Sequence, residues 1–336
     1  MDLTNIKKVL HNLPNYRYKQ VEEAIYFNNI SSWSEATNLP KELREELEQE
    51  CPLTINAEIQ KSEHSKSMKA LIELSDGAKI ETVLMQHKDG RNTVCVSSQV
   101  GCSMGCKFCA TGRHGFIRNL SAYEILEQVI YFSRYLKSKN SHVNGVVFMG
   151  MGEPFLNYDA VLIAVRMLND EKKFNIGARH ISISTCGVVP GIKALTREKL
   201  QLNLALSLHF SNDGLRSEYM PINKSYPLSK LMPALYNYIA QTKRRVMIEY
   251  IILDGINDEE ENALELAALL NDNLPKLFFV NLINYNNTRV FKSAKSEKIN
   301  IFKRILEQNK ITVTQRFEFG DDIAGACGQL AGAKKN

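Results

Sequence analysis

The spacing of hydrophobic positions changes twice along this chain, and each change marks a new region. Over the first fifty residues Ile6, Val9 and Leu10, then Val21, Ala24 and Ile25, recur at helical spacing. Pro14 and Pro40 punctuate this segment, and 41–50 reads as a charged helix. Between 55 and 88, Ala70-Leu71-Ile72-Glu73-Leu74 and Ile80-Glu81-Thr82-Val83-Leu84 flank Ser75-Asp76-Gly77, the pattern of a hairpin around an Asp-Gly turn. From 93 onward, strand patterns at 93–97, 145–149, 181–185, 202–208, 246–253, 278–283 and 311–316 alternate with helical patterns at 123–136, 159–168, 228–242, 259–270 and 299–308. Strands and helices alternating at this length predict parallel βαβ units and an α/β fold. Ser121 followed by Glu124 is a capping box opening the first of these helices. No 20–50-residue repeat or low-complexity tract is evident. The expected organisation is a small helical domain over 1–54, a β-hairpin linker over 55–92 and an α/β domain over 93–336.

Composition narrows this picture. At 336 residues and 44% hydrophobic content, the chain can bury a substantial core. No apolar run reaches the roughly 18 residues that span a bilayer, and the first residues lack the apolar core of a signal peptide. A cytoplasmic location without membrane contact is therefore expected, where cysteines serve metals or redox chemistry more often than structural disulfides. Seven cysteines, an odd number, point the same way. Lys plus Arg exceeds Asp plus Glu by 42 − 37 = 5, which permits nucleic-acid binding without demanding it. Candidate phosphate contacts are Lys7, Lys8, Arg17, Lys19, Arg113, Arg118, Lys243, Arg244 and Arg245, although charge groups of this kind are commonly solvated faces.

Three cysteines carry the sharpest chemical signal. Cys102, Cys106 and Cys109 are spaced C-x3-C-x2-C between Gly101 and Gly112. Read as residues alone, they fit an iron–sulfur cluster, a zinc site with His114 as fourth ligand, or buried thiols. Three thiolates on a four-iron cluster leave one iron open to bind a small molecule and pass it an electron. Parallel barrels gather chemistry on the loops after their strands. The candidate motifs fall there: the triad after the first strand, Gly150-Met151-Gly152-Glu153-Pro154 after the second, Ser184-Thr185-Cys186-Gly187 at the third, Ser207-Leu208-His209 at the fourth and Asn284-Tyr285-Asn286 after the sixth. Beyond the last strand, Cys327 lies in the Gly/Ala-rich run 320–332, which reads as a mobile loop. Cys51 and Cys186 read as ordinary buried thiols.

The triad spacing resembles the signature of radical S-adenosylmethionine (SAM) enzymes. Taken with Gly150–Pro154, Ser207-Leu208-His209, Met220-Pro221-Ile222-Asn223 and Ala326-Cys327-Gly328-Gln329-Leu330, the chain resembles the radical SAM adenine-C2 methyltransferases of 23S ribosomal RNA and transfer RNA. The resemblance implies a partial (β/α)6 radical SAM barrel with an N-terminal accessory domain that binds RNA. It implies that Cys102, Cys106 and Cys109 hold one 4Fe-4S cluster. Gly152, Glu153, Ser184, Ser207, Leu208, His209 and Asn286 then contact SAM, Cys327 carries the methyl group, Cys95 is its disulfide partner, and Glu81 accepts the proton.

In the implied chemistry, one SAM methylates Cys327 and a second yields a 5′-deoxyadenosyl radical that activates the S-methyl group. The resulting carbon radical adds to C2 of adenine, and Cys95 releases the methylated base by attack on the Cys327 sulfur. The implied partners are 23S ribosomal RNA, transfer RNA and a flavodoxin- or ferredoxin-type electron donor, with the enzyme a monomer. Two departures stand out: Asp322-Ile323-Ala324-Gly325-Ala326-Cys327 where the family has Asp-Ile-Asp-Ala-Ala-Cys, and Asn286-Asn287-Thr288 where it has Asn-Pro-Phe. The rivals are the sister family that methylates C8 and confers antibiotic resistance, a zinc-stabilised RNA-binding protein without catalysis, and a radical SAM enzyme acting on protein or small molecules. Pro154 favours C2 over C8.

Overall fold

The computed structural model describes residue 1 and residues 5–286, 288, 290–315 and 320–331. Asn287, Arg316 and Gly332 lie outside the described residues. The N-terminal helices are α1 (Ile6–Leu10), α2 (Asn15–Glu22) and α3 (Lys41–Glu50). They form where the apolar spacing places them, with Pro14 and Pro40 immediately before α2 and α3. Trp33 between them is fully buried, and its indole N–H donates to the Cys51 carbonyl at 2.8 Å.

The strands β1 (Ala57–Lys61), β2 (Ser67–Glu73) and β3 (Lys79–Gln86) form an antiparallel meander. The hairpin is thus longer than its sequence signature, and it does not stand apart. β3 pairs antiparallel with β4 (Asn92–Cys95), joining the meander to the main sheet. The chain then forms β5 (Gln99–Gly101), α4 (Ala110–His114) and β6 (Phe116–Asn119), with β5 and β6 a small separate sheet. Next come α5 (Ala122–Lys137), β7 (Gly145–Phe148), α6 (Tyr158–Asn169), β8 (Ile181–Thr185), α7 (Val189–Thr196), β9 (Asn203–Ser207), α8 (Asp213–Tyr219) and α9 (Leu228–Thr242). The chain finishes with β10 (Val246–Ile252), α10 (Glu260–Asn273), β11 (Phe278–Asn284), α11 (Ser296–Gln308) and β12 (Val313–Gln315). At α5 the capping box forms: the Ser121 hydroxyl accepts the Glu124 N–H while the Glu124 carboxylate accepts the Ser121 N–H.

The ten-stranded sheet runs β1-β2-β3-β4-β7-β8-β9-β10-β11-β12, parallel from β4 to β12. Six βα units lead from β4 to β12. Their spatial order is their chain order, so right-handed crossovers lay every helix on one face, as in a barrel. Among the described residues the sheet does not close, and β1 and β12 are its edges. This is the expected partial barrel, an α/β fold.

Residue alternation divides the two faces. Ile181, Ile183, Leu204, Leu206, Ile248 and Val280 are at most 1% exposed, packed in the core with the helices. Their alternates Ser182, Ser184, Asn203, Ser207, Glu249 and Asn281 are polar and share the opposite face. A parallel strand buried on both faces ordinarily reads as continuous aliphatic sequence; here alternation marks the face kept for chemistry.

Replacing Trp33 by Ala leaves a cavity and removes the indole donor from the Cys51 carbonyl. Unfolding in urea is expected to show a loss of about 3–5 kcal/mol.

Candidate active site

The C-terminal ends of the parallel strands bring the sequence-marked residues to one rim. The loop after β5 carries Cys102, Cys106 and Cys109, and its path depends on Gly101. At φ +76° this residue lies in the left-handed region, and a Cβ there would stand 2.0 Å from the Gly115 carbonyl oxygen. That carbonyl accepts the Cys102 N–H at 2.8 Å, closing the loop. On its far side the loop rests on α8. Lys107 N–H donates to the Tyr219 carbonyl at 3.0 Å, and Phe108 meets the His209 ring edge-on at 5.0 Å between centroids.

Cys102 and Cys106 are 8% exposed, and Cys109 is half-buried. Burial first, then the closeness of Cys109, pushes the Cys102 thiol up to about 12. The Cys106 thiol is driven well above its ordinary value by burial, then by Cys109 and Cys102. Among the described residues, no three His, Cys, Asp or Glu side chains are already drawn together closely enough to hold a metal ion. The donor set nonetheless fits a cationic, thiolate-ligated cluster. Three soft donors share one dry loop, and a metal charge would offset the desolvation that now disfavours their thiolates.

Beside this loop lies a second group of residues. Gly152 has φ +99°, and a Cβ there would meet the Gln99 side chain at 2.5 Å. It leads into Glu153, a buried carboxylate whose pKa is raised by burial against the pull of its hydrogen bonds. Glu153 accepts the N–H groups of Cys186 at 2.8 Å and Phe155 at 3.1 Å. Ser184 and Ser207, at the ends of β8 and β9, have hydroxyls 3.3 Å apart. Leu208 is fully buried; its N–H donates to the Leu206 and Glu249 carbonyls and its own carbonyl accepts from Arg216 Nε. His209 follows in the left-handed region at φ +62°, a conformation that costs a non-glycine residue about 1–2 kcal/mol. It is held there by Ile251 N–H donating to Nδ1 at 3.2 Å and Asn257 Nδ2 donating to its carbonyl at 2.9 Å.

Cys327 sits against the same centre. The Gly328 carbonyl accepts the Ala110 N–H at 2.7 Å, and the Leu330 carbonyl accepts the Thr111 hydroxyl at 2.5 Å. The Cys327 carbonyl accepts from Asn286 Nδ2 at 3.0 Å. Ala331 N–H donates to Glu81 Oε2 at 2.6 Å, while Glu81 Oε1 pairs with Lys69 Nζ at 2.9 Å. Lys69 Nζ also donates to the Ala324 carbonyl at 3.3 Å. The expected mobile loop is therefore tied to β2, β3, the cysteine loop and the segment after β11. One departure from the family pattern falls in this loop at Ala324 and Gly325, with Ala324 in the left-handed region at φ +49°; the other falls after β11, where Thr288 is described. The Thr288 hydroxyl hydrogen-bonds Tyr285 at 2.5 Å.

Cys95 ends β4 in register with Val83 and Val147, and its partner rows run through Lys69. Cys95 and Glu81 thus share the polar face of the sheet. No disulfide joins Cys95 to Cys327.

Sequence reasoning missed Arg216. It is fully buried, and Nη2 donates to the Cys186 carbonyl at 2.6 Å, Nη1 to Asn223 Oδ1 at 2.7 Å and Nε to the Leu208 carbonyl at 3.2 Å. The only signal was its place between two quoted motifs. Cys186 and Cys51 are buried as expected, but Cys186 lies close enough to Cys106 to help raise its own pKa. Among the basic candidates, Arg118 is committed to Asp76 at 2.7 Å and Glu124 at 2.8 Å. Arg113 donates to the Thr288 carbonyl at 2.9 Å. Lys243, Arg244 and Arg245 line a cavity with Arg179 and Asn203, at the strand ends opposite the cysteines.

A profile of the Radical SAM superfamily matches residues 96–267. The chain is 46% identical to a Spiroplasma citri protein named "Probable dual-specificity RNA methyltransferase RlmN", covering 96% of this chain and 92% of that one. A Chloroflexus aurantiacus protein of the same name is also 46% identical, covering 95% and 88%. A radical SAM methyltransferase from Sphaerobacter thermophilus superposes with a TM-score of 0.92 at 42% identity, covering 99% of this chain and 98% of that one.

Two outcomes follow from this geometry. Gly101→Ala cannot keep the turn, and anaerobic reconstitution is expected to load several-fold less iron per chain than wild type. Burial, then the Arg216 charge, brings the His209 imidazole down to about 3, against about 6.5 when unfolded. Between those values the unfolded chain holds a proton that the folded chain does not. Stability therefore falls as pH drops through that window, by up to about 1.4 kcal/mol per pH unit, and His209 adds no slope above it. His209→Asn should flatten this slope in urea titrations at about pH 5 and about pH 7.

Proposed function

The chain belongs to the radical SAM superfamily and, within it, to the RlmN family; from that membership we propose that it methylates C2 of adenosine in 23S ribosomal RNA, and of the adenosine next to the anticodon in transfer RNA, through S-methylated Cys327. The observation that carries this reading is the convergence of Cys327 on the triad loop and on Glu81, through the Ala110–Gly328 and Glu81–Ala331 hydrogen bonds. A radical SAM enzyme without a protein-bound methyl carrier has no need of a cysteine held there.

Cys102, Cys106 and Cys109 would hold a 4Fe-4S cluster, which when bound supplies the electron for reductive cleavage of SAM. Ser184, Ser207, Glu153, Gly152, His209, Leu208 and Asn286 orient SAM. His209 does so as a neutral imidazole, because burial keeps it deprotonated across the working pH range. The Cys327 sulfur accepts a methyl group by displacement from one SAM; a second SAM is spent in activating that methyl group, two per turnover. Adenine C2 must be presented out of its stack for attack. Glu81 then takes the C2 proton. The Cys95 thiolate attacks the Cys327 sulfur, breaking its bond to the transferred carbon and forming a transient disulfide; that carbon takes up a proton to complete the methyl group, and the one electron in excess would return to the oxidised cluster.

Both oxygens of Glu81 are engaged in the docked arrangement, Oε1 by Lys69 and Oε2 by Ala331. We assign residues 1–54 to RNA contact, residues 55–92 to the link, and residues 93–336 to catalysis. A flavodoxin- or ferredoxin-type protein would deliver the electron to the monomeric enzyme.

Cys327→Ala should abolish adenine methylation, at least about a thousandfold in rate, as expected for loss of a covalent nucleophile. Nucleoside mass spectrometry with wild-type enzyme should find 2-methyladenosine. Finding 8-methyladenosine would move the assignment to the sister family, and methylation retained by Cys327→Ala would remove the S-methylcysteine step.

A further inference from the structure

Arg216 is a buried cation whose hydrogen bonds all end on neutral oxygens: the carbonyls of Cys186 and Leu208 and the side-chain amide of Asn223. A guanidinium taken out of water without an opposing charge costs several kcal/mol, so such a residue is retained where a negative charge will face it. Asp213 acts on it through space without an ion-pair contact; its Oδ1 instead accepts from Asn223 Nδ2 at 2.8 Å and from Leu228 N–H at 2.9 Å. The other wall is the cysteine loop. Arg216 lies one helical turn before Met220, whose N–H donates to its carbonyl at 2.8 Å. The same stretch of chain carries the Tyr219 carbonyl that receives Lys107 N–H, and Pro221, 3.5 Å from the position a Gly105 Cβ would take. The guanidinium also packs under Gly187, with Nη2 3.2 Å from where a Cβ would stand, just past Cys186.

We propose that Arg216 is the buried counter-charge of the iron–sulfur cluster and raises its reduction potential, so that a soluble donor can reduce it. The inference rests on the assignment of Cys102, Cys106 and Cys109 as cluster ligands. Three thiolates make the site net anionic, and one-electron reduction adds a further negative charge in a dry environment. A fixed cation on the helix that backs the cysteine loop stabilises the reduced form more than the oxidised form. Net charge and hydrogen bonding near the sulfurs are the levers by which proteins set such potentials. Arg216 suits the role because a guanidinium stays charged when buried, where a lysine readily loses its proton. The Cys186 and Leu208 carbonyls fix it beneath the ends of β8 and β9.

The test is an EPR-monitored redox titration of the reconstituted holoenzyme, with iron and sulfide content measured alongside. Arg216→Gln should load the full cluster but show about tenfold less reduced cluster at a fixed potential, a downward shift of about 59 mV for a one-electron couple. Arg216→Lys should lie between the two. Asn223→Asp keeps the guanidinium but sets a carboxylate against it, and should also shift the potential downward. Should Arg216→Gln fail to load a cluster, the Asn223→Asp titration decides. An unchanged potential in cluster-loaded variants would overturn the proposal and leave Arg216 a structural tie. A wild-type protein that binds no four-iron cluster would instead overturn the ligand assignment beneath it.

Discussion

A single backbone hydrogen bond, from Ala110 N–H to the Gly328 carbonyl, joins two parts of the chain more than two hundred residues apart at the point where the chemistry is assembled. One partner follows Cys109 and the other follows Cys327. The contact is possible because six βα units laid down in chain order open all their loops at the same rim. It persists because the carbonyls of a glycine-rich loop, once buried, need donors. The cysteine loop, Thr111, Asn286 and Lys69 supply them, while Glu81 accepts the Ala331 N–H. The antiparallel meander matters for the same reason. By pairing with β4 it places Lys69 and Glu81 on the sheet face that Cys95 occupies.

The rim is electrostatically demanding. Five buried or half-buried thiols, a buried carboxylate, a buried imidazole and a buried guanidinium lie together. Burial is the largest cause that pushes the Cys102, Cys106 and Cys186 thiols up and the His209 imidazole down, toward their neutral forms. Such a site is costly in isolation, and it becomes reasonable once a cationic cluster faces the thiolates. Perturbed groups of this kind concentrate where function requires them, and strained backbone at His209 belongs to the same pattern.

Much of this was legible in the sequence, because its signals are local. The helices at 41–50 and 228–242 and the strand at 181–185 fall where periodicity places them, and the Ser121 capping box forms as its spacing implies. The cysteine triad and the strand-end motifs are contiguous words. What escaped was non-local. Helices α7 and α8 are short and carry few period signals, so the gaps around them read as loop. Arg216 looked like any surface arginine until the fold buried it. The docking of residues 320–331 could not be read because glycine-rich sequence signals freedom, while the partners that remove that freedom lie at 69, 81, 110, 111 and 286. Likewise, Lys243–Arg245 is a conspicuous charge run, but only the fold shows that it lies at the barrel mouth away from the cysteines.

The central claim is that Cys327 carries the carbon that reaches RNA. It is tested most directly by incubating the reconstituted enzyme with methyl-deuterated SAM before any reductant is added, then digesting it and mapping the label by peptide mass spectrometry. The account predicts one labelled methyl group on the peptide containing Cys327, which passes to adenosine, short of one deuterium, when RNA and reductant follow. An unlabelled Cys327 peptide from an enzyme that then methylates RNA with the full deuterated methyl group would contradict it.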